Sequence, residues 1–237
     1  MVTPSPTLEP GKGETPAMAD RRSRVLAVAM RRFAEFGFAV TTVRQIADDV
    51  GILSGSLYHH FATKEEMLDA IVRDAVLRLR ENTLRIAGAP ESAELRLLAL
   101  ILVHLVEYTS YPAENAILFH ERKFFRRSAD FAYVAQAKRE GYDAWCAVLA
   151  DGIVAGLFHP DMDIFLTVST ILRMLNTGAD RHTNEEGTID TVKQHTLDEL
   201  LQFYLDFVLR SVRNVSRTAE PIARGAAEKL AGLPQIA

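Results

Sequence analysis

The chain is expected to be all-α: an N-terminal three-helix unit of helix-turn-helix type followed by a larger helical bundle, about nine helices in all. Three observations support this. Apolar residues recur at helical spacing almost throughout, with no strand alternation. Gly and Pro punctuation is sparse between residues 18 and 217. Within residues 42–60, a short helix, a tight turn at Gly51 and a second short helix follow one another.

Each element has its own local signal. A first helix is predicted over 20–36, with Val25, Ala29, Phe33 and Phe36 on one face and Gly37 as its stop. Thr42 is an N-cap for a short helix over 43–50, which Gly51 ends. Ser54 caps the next short helix, over 54–60. Thr63-Lys64-Glu65-Glu66 reads as a capping box opening a long helix to residue 86, with Met67, Leu68, Ile71, Ala75 and Leu79 inside. Beyond Gly88-Ala89-Pro90, helices are placed near 91–110, 114–125, 128–156, 162–180 and 188–213. Pro112, Pro160 and residues 183–187 mark the gaps. Residues 1–17, with Pro4, Pro6, Pro10, Pro16, Gly11 and Gly13, cannot bury a core and are expected to be a disordered tail. The domain plan is therefore that tail, 18–64, 65–217, and a flexible 218–237.

Mean hydropathy is +0.02 and no window approaches a membrane span. The N-terminus lacks a basic-then-apolar signal pattern, and the single cysteine, Cys146, forms no internal disulfide. A cytoplasmic protein without membrane association is expected. The net charge is −4, but it is unevenly spread. Residues 18–64 hold seven Lys/Arg (Arg21, Arg22, Arg24, Arg31, Arg32, Arg44, Lys64) against four acids, net +3. Residues 65–237 hold 19 against 25, net −6. A basic unit on an acidic one points to nucleic-acid contacts at the N-terminal end.

The helix-turn-helix carries suitable chemistry for that contact. Ile46, Ala47, Val50, Ile52 and Leu57 are spaced to pack the two short helices together. Ser54, Gly55 and Ser56 are small, so the start of the recognition helix can approach base edges. Arg44 suits a guanine edge, while Tyr58, Thr42 and Lys64 suit phosphates. His59-His60 is a poor metal pair, because neighbours on a helix point about 100° apart. Phe61 is read as a core plug.

At these residues a resemblance appears. Thr41-Thr42-Val43-Arg44-Gln45-Ile46-Ala47, Val50-Gly51, Gly55-Ser56-Leu57-Tyr58-His59-His60-Phe61 and Lys64-Glu65 together resemble the DNA-binding domain of TetR-family repressors. The pattern fixes residue types at more than a dozen positions but covers only the N-terminal fifth of the chain. The run from Gly51 to Phe61 is similar to members controlling fatty-acid or steroid breakdown in actinobacteria. The resemblance implies that Thr42, Arg44, Ser54, Gly55, Ser56, Tyr58, His59 and Lys64 contact a palindromic operator. Leu53 and Gly55 stand where polar or bulkier residues are common, which implies fewer base-edge contacts from this helix.

The larger part shows no GxSxG, HExxH, phosphate loop or Cys/His cluster at metal spacing, so neither an enzyme nor a cofactor or metal site is expected. A cavity between its helices is the expected effector site, lined by Tyr108, Phe119, Arg122, Tyr142, Trp145 and Leu149. Arg122-Lys123-Phe124-Phe125-Arg126-Arg127 is either a solvated helix end or a clamp for an anion such as the phosphates of an acyl-CoA thioester. The last two helices carry more apolar surface than one core face needs. A homodimer is expected through a four-helix bundle using Ile164, Val168, Leu172, Leu200, Tyr204 and Phe207, which the resemblance also implies. The functional expectation is a repressor released from its operator by a small hydrophobic or acyl-CoA-type ligand, with an activator of the same fold as the alternative. A helical interaction protein that binds no DNA is a third reading, opposed by the charge split.

Overall fold

The computed structural model describes residues 16–176 and 196–214, and these divide into two compact units between Arg73 and Asp74. The first contains α1 (Pro16–Phe36), α2 (Val43–Val50), α3 (Ser54–Leu57) and the opening of α4 (Lys64–Ala87). The second contains the rest of α4, then α5 (Ala93–Ser110), α6 (Pro112–His120), α7 (Arg122–Arg127), a 3-10 turn (Ala129–Phe131), α8 (Ala132–Val154), α9 (Ile164–Leu175) and α10 (Leu197–Val212). The all-α expectation holds: among the described residues there is no strand beyond an isolated bridge between Phe158 and Arg213. The expected tail 218–237, the gap 183–187 and most of 1–17 lie outside the described residues.

Among the described residues there are ten α-helices, against the nine expected of the chain. The predicted helix at 114–125 is two helices, because Glu121 (φ −90°, ψ 17°) leaves helical geometry between α6 and α7. Pro112, taken as a gap marker, instead occupies the first turn of α6, where its missing N–H costs nothing. Two cap assignments also change. Leu53, not Ser54, is the N-cap of α3, and α3 has no side-chain cap. Thr63 accepts from the Glu66 amide at 3.0 Å as expected, but the Glu66 carboxylate accepts from Ala62 N at 2.7 Å.

The first unit is built around Val25, Ala29, Phe33, Phe38, Ile46, Ala47, Leu57, Phe61, Met67, Leu68 and Val72, all buried. Phe33 and Phe38 meet edge-to-face, with centroids 5.1 Å apart. Gly37 (φ 89°) and Gly51 (φ 78°) take the left-handed conformation that ends α1 and α2, as their positions predict. The second unit is centred on Leu97, Leu100 and Ile101 of α5 against Trp145, Val148 and Leu149 of α8, with Val168, Ile171 and Val208 closing over them.

Phe158 is the tightest fit in that core. It follows α8, is fully buried, and lies where a Cβ on Gly152 would come within 2.0 Å of its ring. Backbone bonds from His159 N to Val212 O (2.9 Å) and from Asn214 N to Leu157 O (3.0 Å) hold the segment against the end of α10. Gly152→Ala is expected to lower stability by about 1–3 kcal/mol through forced displacement of that ring. Urea unfolding measures it, and an unchanged midpoint would refute the fit described.

Candidate functional site

Two sites emerge, one in each unit. In the first, α2 is held by a full capping box. Thr42 Oγ1 accepts from Gln45 N at 3.2 Å, and Gln45 Oε1 accepts from Thr42 N at 2.9 Å. Such a cap contributes about 1 kcal/mol. Asp49, near the end of α2, binds Arg32 in a fork (2.7 and 2.8 Å) and also reaches Arg31 at 3.4 Å. The Arg32 hydrogen bonds hold the Asp49 carboxyl below its usual range.

The residues expected to touch DNA separate into two groups. Arg44, Tyr58 and His59 are exposed, and the position of a Cβ on Gly55 is open space. Thr42 is exposed but uses its hydroxyl as the α2 cap. Ser54 and Ser56 are half-buried on α3. Lys64 differs from expectation. Its ammonium donates to Phe38 O (2.6 Å) and Thr41 O (2.8 Å) and lies 4.3 Å over the Phe38 ring. It ties α4 to the turn after α1 because those carbonyls have left helical geometry and need donors. Arg22 is part of α1 and stacks on Phe61 at 4.5 Å. The net +3 of the basic unit is thus partly spent inside it. Leu53, which the resemblance marked as a departure from the family pattern, is an apolar side chain that is 81% exposed at the turn between α2 and α3.

The second site is a cavity of about 310 Å³ in the second unit. Ala75, Val76, Leu79, Arg80 and Thr83 of α4 form one wall, and His104 and Tyr108 of α5 another. Leu118 and Phe119 of α6, Ala137, Lys138, Gly141, Tyr142 and Trp145 of α8, and Leu172 of α9 complete most of the rest. Four of the six expected pocket residues (Tyr108, Phe119, Tyr142 and Trp145) therefore line it. Leu149 does not. It lies one turn beyond Trp145, sealed in the core. Arg122 does not either. It is exposed, donates to Phe119 O at 3.1 Å and stacks over the outer face of the Phe119 ring at 5.1 Å.

Lys138 is a wall residue the sequence did not single out. It is exposed as a residue, yet the wall desolvates its ammonium and Arg122 repels it, so its pKa falls below the ordinary lysine value. Arg122, stacked on Phe119, is thus near enough to Lys138 to repel it. Arg80, also on the wall, pairs with Glu140. Cys146 is half-buried with its thiol pushed up by burial, which keeps it in the protonated, unreactive form. Among the described residues no group of three His, Cys, Asp or Glu is placed to hold a metal. No helix among them is long and apolar enough to cross a membrane.

The expected dimer face needs correction. Val168 (0% exposed) and Leu200 (9%) belong to the chain's own core, and Leu172 lines the cavity. Ile164 and Tyr204 are half-buried, with Tyr204 donating to Met174 O at 3.2 Å. Ile164, Val168 and Leu172 follow i, i+4, i+8 and so trace the inward stripe of α9, while Leu200 and Tyr204 lie on that of α10. The most exposed apolar residues of α9 and α10 are Phe165 (67%), Leu166 (66%), Phe203 (62%) and Phe207 (47%), of which only Phe207 was among the six expected interface residues. Phe203 and Phe207 stack with centroids 6.0 Å apart.

A capped α2, a glycine turn and a short recognition segment with exposed polar residues define a helix-turn-helix, joined in one chain to an effector-type helical domain. That is the build of a DNA-binding transcriptional repressor. The chain belongs to the TetR family of bacterial regulatory proteins, whose model matches residues 25–71. It is 37% identical over 146 residues to the HTH-type transcriptional repressor KstR2 of Mycobacterium tuberculosis, covering 62% of this chain and 73% of that one. It is 33% identical over 200 residues to KstR2 of Rhodococcus jostii, covering 84% and 95%. The solved structure of the ketosteroid transcriptional regulator KstR2 of M. tuberculosis superposes with a TM-score of 0.73 at 31% identity, over 85% of this chain and 98% of that one.

His104 offers a direct check on the cavity's interior. It is buried, and burial lowers its pKa from 6.5 to about 4. Between those values the unfolded chain takes up a proton that the folded one refuses, so stability falls as pH drops from 6.5 towards 4. The loss should total roughly 3 kcal/mol at about 1.4 kcal/mol per pH unit. Urea midpoints of the wild type and His104→Gln across this range should differ in slope, the variant being flatter. Parallel slopes would show that His104 is not held neutral.

Proposed function

We propose a homodimeric, ligand-gated repressor. Each protomer presents Arg44, Ser54, Gly55, Ser56, Tyr58 and His59 to the major groove and flanking phosphates, with Thr42 at the start of α2. Lys64 acts at one remove, by holding the turn before α2 rather than a phosphate. Two recognition segments about 34 Å apart read a palindromic operator. The dimer forms through the exposed faces of α9 and α10, with Phe165, Leu166, Phe203 and Phe207 at its centre. Such a protein works in the cytoplasm.

The observation that carries the gating is the course of α4. One helix contributes Lys64 to the DNA-binding unit and Ala75, Val76, Leu79, Arg80 and Thr83 to the cavity wall. A ligand that displaces this wall acts on the same helix that opens at Lys64. It releases DNA only by binding the released form better. The cavity suits an apolar body, and the similarity to a ketosteroid regulator supports a steroid-derived one. At about 310 Å³ it has no room for a whole coenzyme A thioester. In the thioester reading, the acyl part lies inside and the phosphates meet Lys138 and Arg122 at the rim.

Titration against DNA from upstream of its own gene, at several salt concentrations and with a panel of acyl-CoA thioesters, tests this. Tight, salt-sensitive binding relieved by a thioester is expected. Tight binding indifferent to the panel would discard the thioester reading while retaining the repressor. Tyr58→Ala should weaken operator binding at least tenfold without changing the unfolding midpoint, and wild-type affinity would remove Tyr58 from the interface. In light scattering, Phe203→Glu combined with Phe207→Glu should give monomers. A persistent dimer would place the interface elsewhere.

A further inference from the structure

The cavity has walls of mixed character, and most of its interior polar atoms are already engaged. Thr83 Oγ1 donates to Leu79 O at 2.7 Å, and Asn115 Nδ2 donates to Tyr111 O (2.8 Å) and Glu107 O (3.1 Å). The Tyr142 hydroxyl donates to Phe165 O at 2.8 Å. The Trp145 indole N–H, buried without a partner, remains, as do His104 and Tyr108. The last two stand four residues apart on α5, which puts their side chains on one face with Cβ atoms about 5–6 Å apart. Both line the cavity.

Each has a defined hydrogen-bonding state. His104 Nδ1 lies 2.9 Å from Leu100 O, a carbonyl that can only accept, so Nδ1 carries the hydrogen. Burial keeps the ring neutral, and Nε2, at the far edge of the imidazole, is therefore an acceptor alone. Trp145 packs edge-to-face against this ring, with centroids 5.1 Å apart, and fixes its orientation. The Tyr108 hydroxyl has no hydrogen-bond partner among the described residues, and burial raises its pKa so that it keeps its proton. It can donate and accept.

We propose that His104 and Tyr108 form a hydroxyl-recognition pair, so that the effector is an apolar molecule carrying an alcohol and the corresponding ketone binds less well. This rests on the cavity being the effector site. A ligand hydroxyl donates to His104 Nε2 and accepts from Tyr108 Oη. A ketone accepts from Tyr108 equally well but has nothing to donate, which leaves Nε2 buried and unpaired. A site built to pair a hydroxyl rejects the analogue lacking it far more strongly than an apolar wall rejects a change of shape.

Trp145 is the only tryptophan of the chain and lines the cavity, so its fluorescence reports binding without reference to DNA. The full-length protein is titrated with decahydro-2-naphthol and with 2-decalone, two bicyclic probes that differ at one carbon. The alcohol should bind at least tenfold more tightly. In His104→Phe it should fall to the level of the ketone. Tyr108→Phe removes the hydroxyl from which both probes accept, so both weaken while the preference persists or grows. Equal affinities in the wild type, or a preference that survives His104→Phe or collapses in Tyr108→Phe, would overturn the pair. Silence from both probes would overturn the effector-site reading and the pair with it. A clear alcohol preference without operator release would leave the pair standing and remove the gating.

Discussion

The helix α4 runs 24 residues, about 36 Å, without a glycine or proline to interrupt it, and both units depend on it for core. Its first turns bury Met67, Leu68 and Val72 in the three-helix unit. Its later turns supply Ala75, Val76 and Thr83 to the bundle and to the cavity wall. Neither unit closes its apolar interior without this helix.

Charge in the small unit serves structure before it serves recognition. Of the basic residues between 18 and 64, Lys64 holds two carbonyls, Arg32 and Arg31 share Asp49, and Arg22 lies over Phe61. The exposed Arg44 makes only a loose pair with Asp48 at 3.9 Å, which leaves its guanidinium available. The unit's surface chemistry is consequently narrower than its composition suggests. Arg21, Arg24 and Arg44 are exposed cations that remain, with Tyr58, His59 and Leu53 also exposed.

The bundle keeps its driest polar groups neutral or weakens their charge. His104 is neutral inside, and burial together with Arg122 lowers the Lys138 pKa. The buried ion pair of Glu107 with Arg78 (2.7 Å), which stacks on Tyr111 at 3.8 Å, is separate from the cavity lining and joins α4 to α5. Desolvation costs explain the division: an unpaired charge is tolerated only near solvent, and an interior charge must bring its partner.

Helical periodicity, caps and glycine stops were readable from residue order, because each depends on neighbours within four positions. The limits of α2, the left-handed Gly37 and Gly51, and the turn chemistry at Thr42 all follow from such local rules. The break at Glu121 escaped because no proline or glycine marks it. Four pocket residues were legible as large side chains on helix faces, while Leu149 and Lys138 exchanged places with expectation, since burial depends on which helix packs opposite. The amphipathic stripes of α9 and α10 were visible, but which stripe faced inward was not: Val168 and Leu200 looked the same in sequence as Phe165 and Phe203. Lys64 reads as a phosphate contact until the carbonyls of Phe38 and Thr41, more than 20 positions earlier, are brought to its ammonium. Fold class and the helix-turn-helix are thus written in short-range order, whereas the assignment of each cation, aromatic ring and imidazole to core, cavity or surface is a long-range outcome, settled by packing between segments distant along the chain.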